Sequence, residues 1–113
     1  MNDITRKAQS IVIYADNYCD EMRPRQVEAF TEHRQKDSND IMEMRKAMSF
    51  VSSRMKLLIS SVEHMMQPGD TREPIIIEQI ENISNSVRTA PNAQTLLNGA
   101  APAMERILSM FMN

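Results

Sequence analysis

Apolar residues recur along this chain at alternating spacings of three and four. The pattern is most regular from Ile41 to Met65, where Ile41, Met44, Met48, Val51, Met55, Leu58, Val62 and Met65 form an unbroken heptad seam. That period marks a helix packed along one side against others. The same rhythm opens the chain with Ile4, Ala8, Ile11, Ala15, Tyr18 and Met22, predicting a first helix over about 3–22 with Asn2 or Asp3 as its cap. Pro24 suits the first turn of a helix better than its interior, so a second helix is expected over 25–67. The seam runs back through Phe30 and Val27 and crosses the polar positions Arg34 and Asp37.

A straight helix of that length would measure about 63 Å, whereas a compact chain of this size is about 35 Å across. Either the helix breaks near 37–40, where Asp40 followed by Glu43 resembles a capping box, or the molecule is elongated and oligomeric. Gln67-Pro68-Gly69-Asp70 is the clearest stop. Beyond it, Ile76, Ile80, Ile83 and Val87 line a third helix over 74–90, broadened by Ile75 and Ile77. A run of three isoleucines also suits a buried strand, but no second strand exists to pair with it. Asn92 then caps a short turn through Leu96 and Leu97 that stops at Asn98-Gly99. A last helix is expected over 102–112, striped by Met104, Ile107, Leu108 and Phe111.

No repeat, low-complexity segment or linker divides the chain. The expected fold is a single all-α domain, a helical bundle or elongated helical hairpin around one long central helix. Composition agrees: two Gly, no Trp and two Tyr among 113 residues leave few turns and few aromatics for a sheet. A 13.0 kDa chain buries only about two-thirds of its unfolded surface, which favours a stabilising partner. The central helix also carries a second apolar line, Ala47, Phe50 and Leu57, while Ile59 and Met66 widen the first. A helix apolar on two sides is sandwiched, and a second copy or another protein is the economical cover.

The formal charge of −2 gives no global positive field for nucleic acid. Its distribution is uneven: residues 1–62 carry ten Lys/Arg against nine Asp/Glu, and residues 63–113 three against six. Within the first part Arg23, Arg34, Arg45 and Lys56 recur every eleven residues, which holds one face of a straight helix. Interleaved acids and the lack of an aromatic platform favour an ordinary ion-laced helix over a nucleic-acid contact through Arg34, Arg45 and Lys56.

Candidate chemistry is sparse. His33 and His64 have acids only as immediate neighbours, Glu32 and Glu63, which do not share a helix face; no metal or cofactor is expected. Cys19 is the sole cysteine, so it forms no internal disulfide and reads as a packed side chain rather than a nucleophile. Asp37, Asp40 and Glu43 lie among Lys36, Arg45 and Lys46 and read as solvated charge. Two glycines outside any strand-to-helix context provide no phosphate loop. The apolar run Ile11–Tyr14 is too short for a signal-peptide core. The stretch 47–62 is interrupted by Arg54 and Lys56 and falls short of the roughly 20 residues that span a bilayer. An intracellular, cytoplasmic location follows as the expectation, with no membrane association.

Eleven methionines, four of them on the seam, suit either a plastic core or a helix face that accommodates a variable partner. The expected function is a non-enzymatic oligomeric interaction protein, a small adaptor, chaperone, inhibitor or assembly component. It would bind itself and another protein through the seam residues from Ile41 to Met65. One alternative is a dimeric nucleic-acid-binding regulator. Another is a small-ligand sensor or sponge with sites between protomers that use Arg34, Asp37 and Tyr18.

Overall fold

A computed structural model describes residues 2–112 as four helices: α1 (Asn2–Thr31), α2 (Gln35–Met65), α3 (Glu73–Thr89) and α4 (Ala93–Ser109). The all-α bundle expected from the periodicity is present. Its core is one cluster drawn from all four helices, including Ile4, Ile11, Met48, Leu58, Ile80 and Ile107. The first two helices form a long antiparallel hairpin, and α3 and α4 a shorter one laid along it, with α1 on α3 and α2 on α4. Lys7 reaches Glu81 at 3.4 Å, and Ser10 and Tyr14 both meet Arg88, so α1 and α3 run in the same direction.

At 1.5 Å per residue the long helices span about 45 Å and the short ones about 25 Å. The far ends of α1 and α2 therefore project as a two-helix arm beyond the α3–α4 connection, whose Pro91 and Ala93 border a cleft with Tyr18 and Ile41. The molecule measures 54 × 22 × 21 Å with a radius of gyration of 15.6 Å, longer than the roughly 13 Å of a compact chain this size. Elongation and a chain reversal thus coexist.

The reversal lies elsewhere than expected. Helix one does not end near Met22: it continues through Pro24 to Thr31. The ring is exposed, so the carbonyl of Asp20, deprived of its partner four residues on, opens to water. The turn before the proline is braced from α2, where Arg45 donates from Nε to the Cys19 carbonyl at 3.1 Å and from Nη1 to Gln26 at 2.7 Å. Cys19 Sγ donates back to the Arg45 carbonyl at 3.4 Å.

No helix begins at Asp40, which lies inside α2. The break falls at Glu32–Arg34 instead. His33 adopts φ of 61°, Arg34 N–H bonds to Ala29 O at 2.8 Å, and His33 N–H to Phe30 O at 3.1 Å. These are the paired bonds of a Schellman turn, with histidine where glycine is usual.

The stop at 67–70 is present, with Gly69 at φ of 83°, and Pro74 sits in the first turn of α3. The expected interruption at Asn98-Gly99 and restart at Pro102 are absent, because α4 runs unbroken through both. Asn92 caps it by accepting from Thr95 N–H at 2.8 Å. Gly99 serves close helix packing rather than termination: a Cβ there would stand 2.3 Å from Ser86 Oγ and 3.2 Å from its Cβ. Pro102 is exposed, and the carbonyl it leaves unpaired belongs to Asn98, also exposed.

A latch closes the bundle end. Arg72 donates from Nη2 to Asp70 at 2.7 Å and from Nε at 3.0 Å, reaches the Met110 carbonyl from Nη1 at 2.9 Å, and lies 5.1 Å over the Phe111 ring. The Arg72 side chain, with help from its backbone N–H, holds the Asp70 carboxyl down to about 2. Because the folded value lies below the roughly 3.9 of an unfolded aspartate, this contribution to stability is complete above about pH 4 and is lost as pH falls through about 2. Thermal melting from pH 5 to 2 should therefore show a steeper acid loss in the native chain than in Asp70→Asn; parallel curves would remove the latch from the stability account.

Candidate functional site

The Met-rich seam is used inside the chain. Met44, Met48, Val51, Met55, Leu58 and Val62 are all buried within the four helices, and Val51, Leu58 and Val62 expose nothing. The two ends of the seam differ. Ile41, at the base of the arm, is half-buried, and Met65, at the last residue of α2, is 56% exposed while Met66 turns inward in its place. In this fold those six side chains are covered by the chain itself.

Arg34, Arg45 and Lys56 keep their spacing of eleven at the N-cap of and along α2, but each is engaged within the chain. The reversal at Glu32–Arg34 puts Arg23 on α1 and Arg45 and Lys56 on α2. Arg34 pairs with Glu32 at 2.9 Å and Asp37 at 3.0 Å, Lys56 with Asp16 at 3.6 Å, and Arg45 is the brace already described. The polar trio Tyr18, Arg34 and Asp37 is divided between two open clefts. Tyr18 borders one of about 550 Å³ at the α3–α4 connection; Arg34 and Asp37 border another of about 500 Å³ on the arm.

The histidines are separated by the length of α2. His33 is exposed at the arm tip, and His64 donates from Nδ1 to the Ser60 carbonyl at 2.7 Å. Among the described residues no group of three His, Cys, Asp or Glu is placed to hold a metal ion. Burial pushes the Cys19 thiol up, only partly opposed by Arg45, the reverse of the shift that activates a nucleophilic thiolate. Ser52 is buried and donates to Asp16 at 2.7 Å, tying α2 to α1. No helix of the described residues is long and apolar enough to cross a membrane.

The bundle also leaves open a smaller, apolar groove of about 240 Å³ between α2 and α4. Phe50 and Arg54 form the α2 wall; Met104, Glu105, Leu108 and Met112 form the base and the opposite wall. Phe50 is 39% exposed and Met112 81%. Leu57, seven residues after Phe50 on the same side of α2, is also exposed, extending the apolar line by two turns. The Arg54 guanidinium stacks 5.0 Å above the Phe50 ring. Arg54 and Glu105 face the same groove, yet among the described residues neither joins an ion pair. The second apolar line on α2 and the stripe on the last helix each announced half of this groove in the sequence; their juxtaposition depends on α4 running unbroken beside α2.

Comparison with known proteins finds no matching family model, no matching curated protein and no matching solved structure. The functional reading therefore rests on this chain's own surface.

Proposed function

We propose that this chain is a non-enzymatic interaction protein that binds another macromolecule through the apolar groove between α2 and α4. The observation that carries this reading is the groove itself. Phe50, Leu108 and Met112 line it, exposed Leu57 lies seven residues further along α2, and none of the four belongs to the buried core. Full burial of a side chain of this kind contributes roughly 1.5–3 kcal/mol, so a few of them covered together supply the centre of an interface. The groups that would do chemistry are committed to structure: Arg45 and Cys19 brace the proline turn, Ser52 and Asp16 join two helices, and Arg72 and Asp70 form the latch.

A photo-reactive side chain substituted for Leu57 in the source cells should yield a discrete crosslinked species. The same substitution at exposed Asn17 on α1 should not. Equal or absent crosslinking at both positions would overturn the reading.

A further inference from the structure

We infer that the occupant of the groove is a second copy of this chain, docked about a two-fold axis running along the helices. This rests on the groove being the interaction surface and adds the identity of what fills it. The decisive features are the direction of its walls and the charges they carry. Ile41 and Met44 share a cleft with Ala93 and Gln94, and further along Phe50 and Arg54 stand opposite Ala101 and Glu105; α2 and α4 therefore run in the same direction. Rotation by half a turn about an axis parallel to both keeps that direction and exchanges the walls. The α2 wall of one copy then faces the α4 wall of the other at the same level.

Under that operation Arg54 of each copy meets Glu105 of the other, so the two charges left unpaired within a single chain are paired twice in the dimer. An isologous interface requires a patch complementary to itself. Opposite charges on opposing walls, flanking an apolar centre of Phe50, Leu108 and Met112, meet that requirement. A groove with one sign of charge on both walls would repel its own copy. Antiparallel docking would instead oppose Arg54 to Arg54, which is why the parallel arrangement is the one assigned.

The test uses three full-length proteins, native, R54E and E105R, followed by sedimentation velocity, with circular dichroism to verify that each is folded. The native chain should dimerise with rising concentration, and added salt should weaken the dimer. Each single variant places two like-charge pairs in the interface and should raise the dimer dissociation constant by about tenfold or more. An equimolar mixture of the two variants should restore a dimer of one copy of each, since every pair is then Glu against Arg.

A native chain that stays monomeric at all concentrations overturns the inference. So does a dimer that both variants leave intact, or a mixture that stays monomeric. If the native chain is monomeric while the position-57 probe still captures another macromolecule, the interaction reading stands and only the second copy is excluded.

Discussion

Val51→Asp should unfold most of the chain. Val51 exposes nothing and sits at the middle of the α2 seam, between Met48 and Met55, both within the same core. A carboxylate there is placed within that apolar cluster, and an uncompensated buried charge costs about 3–5 kcal/mol. Domains of this size are stable by only about 5–15 kcal/mol in total, so the loss takes much of the margin. Urea unfolding followed by circular dichroism should show the midpoint fall sharply, or helicity lost without denaturant. An unchanged midpoint would mean the seam is not the core. The same experiment separates two roles that a heptad pattern leaves open. A seam serving only as an interface between folded copies would lose mass on substitution but retain helicity and stability.

Gln79→Met should stabilise the protein by about 1–3 kcal/mol, a gain from removing a polar group rather than adding a contact. Gln79 lies on the core face of α3, three residues from Ile76 and four from Ile83, and is 8% exposed. Its side-chain oxygen is buried without a hydrogen-bond partner, and leaving such an acceptor unsatisfied costs about 1–3 kcal/mol. Methionine keeps the unbranched shape and removes the acceptor. The chemical-denaturation midpoint should rise with an unchanged dependence on denaturant. A fall would show that the amide has a role that the described contacts do not contain.

The parts of the fold legible in the sequence are those governed by periodicity and by paired stop signals. Val51, Leu58 and Val62 are in the core for the reason their spacing gave, and Pro68-Gly69 ends α2 because two breakers act together. The misplaced boundaries share a different physics. Pro24 and Pro102 lie inside helices because each faces solvent, where the carbonyl four residues back can bond to water, and tertiary packing carries the helix past them. Gly99 looked like a terminator, but its missing Cβ makes room for Ser86 on another helix, a contact no local pattern reports. The reversal at His33 was hidden because a left-handed residue there is histidine rather than glycine.

That displaced reversal also took Arg23 off the basic stripe, since spacing by eleven holds a face only on one continuous helix, and left Arg34, Arg45 and Lys56 on α2. The groove was half visible. Phe50 and Leu57 stood out on α2, and Leu108 on the final helix, but only the packing of α4 beside α2 brings Phe50 and Leu108 into one groove. Arg54 and Glu105, fifty-one sequence steps apart, give no signal in a linear reading; their significance comes from lining the same groove unpaired.

The methionine-rich seam as internal core, with the interaction surface elsewhere, is the claim on which everything else depends. The eleven methionines provide their own reporters. Methyl-labelled methionine observed by NMR, with a soluble paramagnetic agent, should leave Met48 and Met55 sharp, at 1% exposure each, and broaden Met65, at 56%, although all three belong to one heptad pattern. Equal broadening of Met48, Met55 and Met65 would contradict the account and return the seam to the surface.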